Sequence, residues 1–474
     1  MRIADLAGRR VAVWGYGREG RAALAALRTR VPDLPVTVFC NEAEARLLEE
    51  EASRLKPLLQ GDSSSGRSGF SRDAFVPITT PPDAAALSAF DVVIKSPGIS
   101  AYRPEILEAQ HNGAHFTSGT ALWFVEHPEA RVIAVTGTKG KSTLSALIAH
   151  LLRARGKRVA LAGNIGLPLL ELLDPPQIPD WWVVELSSFQ TREAAEIEIG
   201  VINNVYEEHL DWHGSRERYA HDKLALAAVA KTLIVNATQG ELVARTGAHP
   251  HRIAFGESSG WHVGEGAILR DAQRVFDLAA SPLPGPHNAL NLCAALAVIE
   301  AAGEDAIAAA RAITAFRPLP HRLQTLGEHD GLTWVDDSIA TTPQATWEAL
   351  ASFSNRPVTV LVGGHERGLD WRGFAGQVHA QPPHAIVTMG ANGARIHETL
   401  RLAGGAYRLE AAAALADAMR IARAITPVHG VVLLSPGAPS FDQFRDYAER
   451  GCAFARLAGF DPLSIGQIQG LGIV

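Results

Sequence analysis

The sequence contains little cysteine. Only Cys40, Cys293 and Cys452 occur among 474 residues, and they lie far apart in the chain. An odd number of scattered cysteines excludes the disulfide framework that is typical of small secreted domains. The pattern indicates a protein of a reducing compartment, and we expect it in the cytoplasm.

Long apolar runs and an excess of basic residues are also missing. No stretch approaches the roughly 18 consecutive apolar residues that a membrane-spanning helix needs. The first residues, Met1–Asp5, reach an acid before any apolar run and do not predict a signal peptide. The formal net charge is −6, with both signs interspersed. We therefore expect no membrane insertion and no nucleic-acid partner, and we expect local groups to hold any anionic ligand. We also expect a monomer.

Short apolar runs alternate with longer helical patterns along almost the whole chain. This alternation is typical of parallel α/β architecture, and it predicts three consecutive α/β domains. The proline-rich stretch Phe316–Pro320 interrupts the helical pattern before the third domain, as a linker would. The Ser- and Gly-rich segment Gly61–Arg72 predicts a surface loop in the first domain.

The strongest local signal is the stretch Thr136–Thr143, which reads TGTKGKST. It stands between an apolar strand and a helix, where backbone N–H groups and a helix N-terminus can bind phosphate oxygens. Lys141 is placed to reach the β- and γ-phosphates and Ser142 to ligate Mg²⁺. The sequence thus predicts a bound nucleoside triphosphate. Its expected contacts in this loop are Gly137, Thr138, Lys139, Gly140, Lys141, Ser142 and Thr143.

This loop is shorter than the common phosphate-loop pattern G-x-x-x-x-G-K-S/T, since position 135 is Val. In this form it resembles the loop of the Mur ligases and of their relative, folylpolyglutamate synthetase. Further short motifs match the Mur ligases in order along nearly the whole chain. They are Ser96–Ile99 (SPGI), Gly163–Gly166 (GNIG), Glu185–Gln190 (ELSSFQ), His209–Asp211 (HLD), Pro284–Asn288 (PGPHN) with Asn291, His321–Arg322, Asp336–Ser338 (DDS) and Ser435–Gly437 (SPG).

The resemblance implies three domains and an activity. A Rossmann-like domain over residues 1–118 would bind a UDP-sugar, and a P-loop ATPase-like domain over 119–317 would bind ATP. A Rossmann-like domain over 318–474 would close on ATP and bind glutamate. The implied enzyme is an ATP-dependent amide ligase of peptidoglycan precursor synthesis that works through an acyl-phosphate and releases ADP and phosphate.

The resemblance also implies two Mg²⁺ sites. It assigns Glu185 and Ser142 to the metal of Mg-ATP and His209 to a second metal. Composition alone predicts an exposed helical lysine at position 223, whereas the family carries a carbamate on the matching lysine. Carbamylated Lys223 would be an anionic oxygen ligand that bridges the two metals. Lys141, His209 and Lys223 are therefore the candidate catalytic residues.

Other nucleotide contacts are implied in the C-terminal half. The resemblance assigns adenine to Asn288 and Asn291, the ATP phosphates to Arg322 and the ribose to Asp337. Asn288 stands at a helix start, so an ordinary helix cap is the alternative for this residue. For Arg322, the alternative is that His321 and Arg322 are surface residues without a ligand.

The N-terminal turn Gly15–Gly20 reads GYGREG after a strand, which alone would indicate a dinucleotide site. The ribose-binding acid that such a site needs is absent, because Phe39 is followed by Cys40 and Asn41. We therefore expect the turn to bind the UDP diphosphate. The candidate contacts for the UDP-sugar and the amino acid are Arg18, Glu19, Gly20, Ser96, Gly98, Asn164, Ser187, Gln190, Thr341, Arg367, Ser440, Phe441 and Tyr447.

Within the family, the segment Ser440–Gly451 resembles the MurD type, which adds glutamate to UDP-N-acetylmuramoyl-L-alanine. Ordinary members add D-glutamate and carry a lysine where this chain has Ile339. A second family lysine is matched by Arg367, whose planar fork meets a carboxylate in a different geometry. These departures resemble the less common subfamily that adds L-glutamate. We favour L-glutamate and keep D-glutamate as the alternative.

Two further alternatives remain. A folylpolyglutamate-synthetase-like ligase would share the glutamyl chemistry, but that family lacks the glycine-rich N-terminal domain and the motif Ser96–Ile99. A regulatory nucleotide-binding protein without catalysis would be favoured if the candidate catalytic or metal residues were replaced. Lys141, Glu185, His209 and Lys223 are all present.

Overall fold

The structure is a computed structural model that describes residues 1–54, 75–206 and 210–474. The predicted loop Gly61–Arg72 therefore lies outside the described residues. Within them the chain forms two compact units. One comprises residues 1–262, 293–310 and 470–474, and the other comprises residues 263–292 and 311–469. In the described part of the chain, no helix is long and apolar enough to cross a membrane.

The first unit begins with a five-stranded parallel sheet, as the short apolar runs predict. Its elements are β1 Val11–Trp14, α1 Arg18–Arg30, β2 Val36–Phe39, α2 Glu42–Arg54, β3 Phe75–Ile78, α3 Ala84–Ser88, β4 Val92–Lys95, α4 Pro104–His111, β5 His115–Thr117 and α5 Gly119–Glu126. The strand order is β3-β2-β1-β4-β5. The order reverses between β1 and β4, which opens a crevice at the carboxyl ends of these two strands.

A second sheet of the same unit is parallel, and it is buried on both faces at its centre. Its elements are β6 Val132–Thr136, α6 Lys141–Ala154, β7 Val159–Gly163, β8 Trp181–Glu185, β9 Ile197–Ile202, α7 Leu210–His213, α8 Arg216–Val229, β10 Ala230–Asn236, α9 Gly240–Arg245, β11 Arg252–Phe255 and β12 Trp261–Gly264. The strands follow the order β12-β11-β10-β9-β6-β8-β7. β6 therefore lies between β8 and β9, so the loops after these three strands meet at one edge.

The second unit contains an antiparallel hairpin and a third sheet. Residues 293–310, which include residues of two of the helices given next, belong to the first unit. In chain order the remaining elements up to the last helix are β13 Ala267–Arg270, β14 Gln273–Asp277, α10 Pro286–Ala301, α11 Ala306–Ala310, β15 Gln324–His329, β16 Leu332–Asp336, α12 Pro343–Ala351, β17 Val358–Val362, α13 Arg372–Ala380, β18 Ala385–Thr388, α14 Gly393–Ala403, β19 Arg408–Ala411, α15 Leu415–Ile425, β20 Val431–Leu434, α16 Tyr447–Ala458 and α17 Pro462–Ile465. The third sheet has the order β15-β16-β20-β17-β18-β19, and only β15 runs antiparallel to its neighbour.

The apolar runs of the sequence form strands in the structure, and several boundaries differ from those expected. The sequence predicts a turn over Gly15–Gly20, but α1 already begins at Arg18. The turn is shorter because Gly15 adopts φ +90°, and a Cβ on Gly20 would collide with the Gly15 carbonyl. The sequence predicts an apolar run over Val201–Val205, but only Val201 and Ile202 of it belong to β9. β9 starts earlier, at Ile197, because it pairs with both β6 and β10.

The last strand, β21 Gly472–Ile473, adds antiparallel to the edge of β7 in the first unit. Arg153 of α6 fixes this tail, since its Nη2 donates to the carbonyls of Val159, at 2.7 Å, and Gly472, at 3.4 Å. Gly470 adopts φ +68°, and a Cβ there would meet the Arg153 guanidinium. The tail therefore covers an edge strand that would otherwise expose its backbone groups.

We predict that truncation after Gln469 lowers the free energy of unfolding by about 1–3 kcal/mol, because it removes a few backbone hydrogen bonds and one of the two acceptors of Arg153. Urea denaturation followed by circular dichroism measures the change. Gly470→Ala should give part of this loss.

Gly266→Ala is the matched control for Gly470→Ala. Gly266 also has a positive φ, +72°, but a Cβ there meets no atom within 4 Å. Equal destabilisation by the two glycine variants would contradict a specific role for the Arg153 contact, and an unchanged unfolding midpoint after truncation would contradict the role of the tail.

Candidate active site

The phosphate loop lies where the sequence predicts it, between β6 and α6. Gly140 takes a left-handed conformation, with φ +77°, and caps α6, whose first residue is Lys141. The amides of the first helical turn have no acceptor within the helix, and they carry the positive end of the helix dipole. Lys141 Nζ donates to the Thr138 carbonyl at 3.0 Å, so this cation lies over the loop. The arrangement is suited to an anion at the start of α6.

Two asparagines that the sequence analysis did not predict support the loop from behind. Asn203 and Asn204 follow β9 directly. The Asn204 Oδ1 accepts from the backbone N–H of Thr138 at 2.9 Å and of Lys139 at 2.8 Å, and its Nδ2 donates to the Lys139 carbonyl at 3.0 Å. Asn203 Nδ2 donates to the same carbonyl at 3.2 Å. The only signal in the sequence is a polar pair at the end of an apolar strand.

Lys223 is buried, with 1% of its surface exposed. This burial is a correction to the exposed lysine that composition predicts. Its Nζ donates to the Gly137 carbonyl at 2.7 Å and lies 4.9 Å from the centre of the Tyr219 ring. α8 thereby brings Lys223 against the phosphate loop. A lysine held at this place agrees with a functional role, although its carbamylation stays a prediction.

Glu185 ends β8 and is 1% exposed. Its Oε1 accepts from Asn164 Nδ2 at 2.7 Å, and within the described residues no donor reaches its Oε2. Asn164 is held beside it because Gly163 pairs with Glu185 in the β7–β8 register. A buried carboxylate oxygen without a donor is costly unless a cation takes it. The site therefore fits a hard metal ion such as Mg²⁺.

The other predicted metal ligands are located only in part. Ser142 is buried in the first turn of α6, beside the carboxyl end of β6, and β6 pairs with β8. His209 lies outside the described residues. Among residues 1–54, 75–206 and 210–474, no cluster of three or more His, Cys, Asp or Glu side chains could hold a metal by itself. A metal here would need phosphate oxygens, a hydroxyl or a modified lysine as further ligands.

The first-sheet crevice contains several predicted substrate contacts. Ser96 follows β4, and its Oγ donates to the Gly15 carbonyl at 3.1 Å, so the two loops are joined. Gly98 is exposed at the same edge. The first turn of α1 carries Arg18, whose guanidinium donates to the Gly166 carbonyl at 3.4 Å, and Glu19. Burial, with the nearby Glu193 and Glu171, raises the pKa of Glu19 to about 7.

The Ser187–Gln190 loop after β8 is held by side-chain hydrogen bonds. The Gln190 Oε1 accepts from the N–H of Ser187 at 3.1 Å and from its Oγ at 2.8 Å. The Gln190 Nε2 donates to Thr120 Oγ1 at 3.0 Å, and Gln190 is 1% exposed. These internal bonds hold the loop that follows Glu185. Substrate contact by Ser187 and Gln190 stays a prediction.

In the second unit, Asn288 and Asn291 lie together in the first turns of α10. The Asn291 Nδ2 donates to Asn288 Oδ1 at 3.1 Å, and the Asn288 Nδ2 donates to the Pro284 carbonyl at 2.6 Å. Asn288 thus fixes the turn before the helix. The adenine contact assigned to the two amides stays a prediction.

Arg322 lies in a strained turn of the second unit. Its neighbours His321 and Leu323 have positive φ values of 61° and 45°, which cost energy for non-glycine residues and cluster at functional sites. Asp337 accepts from the Leu323 N–H at 3.1 Å and from Ser435 Oγ at 2.7 Å. Burial raises the pKa of Asp337 to about 7.

The predicted glutamate contacts of the second unit follow neighbouring strands β16, β20 and β17. The N–H of His365 donates to the Pro439 carbonyl at 2.8 Å, which places the Arg367 loop along the segment that carries Ser440 and Phe441. Phe441 is 66% exposed and lies edge-on to His365, with ring centres 6.0 Å apart. Thr341 and Tyr447 lie on the loop after β16 and at the start of α16.

Arg450 is a third residue that the sequence analysis did not assign. It is 1% exposed, and its guanidinium donates to Ser338 Oγ and to the carbonyls of Ser338, Ala438 and Pro439, at 2.8 to 3.2 Å. It therefore joins the loop after β16 to the loop after β20. The motif in Ser440–Gly451 includes this arginine, but the sequence does not show which groups accept its hydrogen bonds.

Comparison with known protein families agrees with this geometry. Residues 135–299 match the Mur ligase middle domain, and residues 321–437 match the Mur ligase glutamate ligase domain. A protein of Xanthomonas euvesicatoria pv. vesicatoria, named UDP-N-acetylmuramoyl-L-alanine–L-glutamate ligase, is 50% identical over the full length of both chains. A protein of the same name from Micromonospora sp. is 39% identical and covers 96% of this chain and 97% of its own.

A solved structure shows the same fold at low identity. The UDP-N-acetylmuramate–alanine ligase MurC of Thermotoga maritima superposes with a TM-score of 0.57 at 19% identity, covering 94% of this chain and 98% of its own. This likeness confirms the predicted α/β fold class, and the full-length relatives establish the family. The chain belongs to the Mur ligases and is an ATP-dependent, amide-forming ligase of peptidoglycan synthesis.

Proposed function

We propose that this enzyme joins L-glutamate to the L-alanine carboxylate of UDP-N-acetylmuramoyl-L-alanine. The substrate pair is supported by the printed name of relatives that are 50% identical over the whole chain. The observation that carries the ATP-dependent chemistry is the phosphate loop beside the buried, half-satisfied carboxylate of Glu185. Because ATP and a UDP-sugar are the substrates, we place the reaction in the cytoplasm.

Mg²⁺ fits the residues around Glu185. Glu185 and Ser142 would hold the ion of Mg-ATP, and His209 with carbamylated Lys223 would hold a second ion. When bound, Mg²⁺ neutralises phosphate charge and polarises the transferred phosphoryl group. Asn164 has a supporting role, because its amide donates to one oxygen of Glu185 and leaves the other for a cation.

In the proposed first step, the L-alanine carboxylate attacks the γ-phosphorus of ATP. An oxygen–phosphorus bond forms, the bond to the β,γ-bridging oxygen breaks, and ADP leaves. The start of α6 holds the phosphates, and Lys141 stabilises the charge that develops on the transferred group. The crevice between β1 and β4 holds the UDP part of the substrate, with the Gly15–Gly20 turn near the diphosphate.

In the proposed second step, the amine of glutamate attacks the acyl carbon of the acyl-phosphate. The amide bond forms, the carbon–oxygen bond to phosphate breaks, and the amine loses a proton as inorganic phosphate leaves. Arg322 is proposed to contact the ATP phosphates and Asp337 the ribose. We propose a monomer as the working unit.

The enantiomer is the finer part of the proposal. Ile339 stands where ordinary MurD-type ligases carry a lysine, so the loop after β16 has one cationic group fewer. Within the described residues no ion pair uses Arg367, which is exposed and available for a carboxylate. Glu366 does not neutralise it, because Arg395 pairs with Glu366 at 2.8 Å. A pocket that loses one charge donor and reshapes another can exchange its stereochemical preference. The relatives' printed name, with L-glutamate, supports the same choice.

We predict that Lys223→Ala loses at least about 99% of kcat and that acetate or propionate restores part of it. A short carboxylate can supply the oxygen ligand that a carbamate would supply. Steady-state phosphate release, measured with and without each additive, tests this prediction. Rescue by a short alkylamine instead would indicate that unmodified Lys223 acts through its bond to the Gly137 carbonyl, and would contradict the carbamate.

Lys231→Ala is the matched control for Lys223→Ala. The Lys231 side chain is 55% exposed, and within the described residues it pairs with Glu196 and Glu198 on the surface. Its loss should therefore leave kcat within about twofold. Full activity of Lys223→Ala would show that Lys223 has no role in catalysis.

We predict that phosphate release from ATP requires both UDP-N-acetylmuramoyl-L-alanine and glutamate, and that kcat/KM is at least about tenfold higher for L-glutamate than for D-glutamate. Tenfold corresponds to about 1.4 kcal/mol of transition-state binding. Omitting each substrate in turn tests the ligase assignment. A tenfold preference for D-glutamate would refute the stereochemical proposal alone.

Two arginine variants test the proposed carboxylate contact. Arg367→Lys should raise KM for glutamate by about fivefold or more, since a point charge replaces a planar fork. Arg372→Lys is the control, because Arg372 is 84% exposed and pairs with Asp370. If the two variants have the same KM for glutamate, Arg367 does not contact glutamate.

A further inference from the structure

A buried hydrogen-bond network surrounds Asp222, the residue before Lys223. We call Tyr102, Ser188, Arg192, His213 and Asp222 the Asp222 network. Asp222 is 1% exposed, and both its oxygens accept from the Tyr102 hydroxyl at 2.8 Å. Its Oδ2 lies 2.8 Å from His213 Nδ1, and Arg192 Nη1 lies 3.6 Å from Oδ1. Every oxygen of this carboxylate is therefore occupied inside the protein.

His213 continues the network to the loop after Glu185. Its ring is fully buried, and its Nε2 lies 3.0 Å from Ser188 Oγ. The order Ser188, His213, Asp222 has the bonding pattern of a nucleophilic triad. Ser188 is only 3% exposed, so a substrate has no access to its hydroxyl. The bonding pattern therefore serves to hold these segments together.

The network also reaches the loop of the first sheet. Tyr102 lies shortly after the predicted UDP-sugar contacts Ser96 and Gly98. The Ser100 Oγ donates to the Trp212 carbonyl at 2.6 Å, and the Trp212 Nε1 donates to the Pro97 carbonyl at 3.1 Å. The segment from Ser96 to Tyr102 is thus bound along its length to residues 212–222.

The other end of the network is the phosphate loop. Asp222 and Lys223 are consecutive on α8, and Lys223 Nζ donates to the Gly137 carbonyl. A rotation of α8 that displaced Asp222 would also displace Lys223. The Thr191 Oγ1 donates to the Asp222 carbonyl at 2.6 Å, which ties α8 to the segment after Glu185 as well.

We propose that Tyr102, His213 and Asp222 are positioning residues that couple the UDP-sugar crevice to the phosphate loop. This inference rests on the proposed function. Substrate in the crevice fixes the Ser96–Tyr102 segment, the Tyr102 hydroxyl fixes Asp222, and α8 then holds Lys223 at the loop. None of the three residues touches a reacting atom. The coupling is reciprocal, so nucleotide at the loop also favours substrate in the crevice.

The test measures the dissociation constant of UDP-N-acetylmuramoyl-L-alanine by calorimetry, with and without a saturating Mg²⁺ complex of a non-hydrolysable ATP analogue. We define the coupling ratio as the dissociation constant without nucleotide divided by the dissociation constant with nucleotide. In the wild-type enzyme this ratio should be about five or more. Tyr102→Phe should reduce this ratio to below about twofold while substrate binding without nucleotide stays within about twofold. Asp222→Asn and His213→Gln should have the same effect on the ratio.

Kinetics give a second readout. Tyr102→Phe should lower kcat by about fivefold or more and leave KM for glutamate within about twofold. A loss of fold would instead lower the concentration of active enzyme and leave the coupling ratio of the remaining molecules unchanged. Tyr102→Phe removes one hydroxyl from a half-buried ring, so this variant is the one expected to fold even if His213→Gln does not.

Two matched controls have similar hydrogen bonds outside the network. The Tyr407 hydroxyl donates to the carbonyls of Leu400 and Gly404, and both ring nitrogens of His127 lie within 3.0 Å of backbone carbonyls. Tyr407→Phe and His127→Gln should keep the wild-type ratio.

The outcomes separate this inference from the proposed function. Wild-type enzyme that does not bind UDP-N-acetylmuramoyl-L-alanine would overturn both. Wild-type enzyme that turns over but shows no coupling, or a Tyr102→Phe variant that keeps the wild-type ratio, would overturn the network alone.

Discussion

The phosphate loop has to keep the amides at the start of α6 available to an anion while its own buried carbonyls find donors elsewhere. The carbonyl of Gly137 accepts from Lys223, that of Thr138 from Lys141, and that of Lys139 from Asn203 and Asn204. An unsatisfied buried carbonyl would cost roughly 1–3 kcal/mol. These donors come from α8, α6 and the end of β9, so the conformation of the loop depends on the packing of three separate elements.

This dependence explains what the sequence could predict at the site. The strand β6, the loop and the start of α6 are contiguous, so the pattern in Thr136–Thr143 was sufficient to place them. Asn204 pairs with Lys139 across 65 residues, and no local pattern contains that pairing. Lys223 was placed through family resemblance, whereas its burial follows only from the packing of α8 against the loop.

The fold likewise has parts that the sequence predicts and parts that depend on tertiary structure. Apolar runs predicted most of the parallel strands that are buried on both faces, because such burial needs a continuous apolar segment. The half-exposed parallel strands β3, β5 and β19 were not predicted. The antiparallel additions were not predicted: β15 is mostly polar and half-exposed, and β21 contains only Gly472 and Ile473. Such edge strands are specified by the backbone groups of their neighbours, β16 and β7, and hence by tertiary structure. Likewise, Arg450 was visible as a motif residue, while its four acceptors on two loops were not.

Three buried carboxylates show how surroundings assign different roles to similar groups. In Glu185 one oxygen is held by Asn164 and the other has no donor among the described residues, which suits a cation. In Asp222 both oxygens are occupied by Tyr102 and His213, so the group can only hold its neighbours in place. Asp337 accepts two hydrogen bonds, yet burial still raises its pKa to about 7, so both of its protonation states are accessible near neutral pH. Burial is common to all three, so the donors around each carboxyl group, and not burial itself, decide whether one of its oxygens is left for a cation.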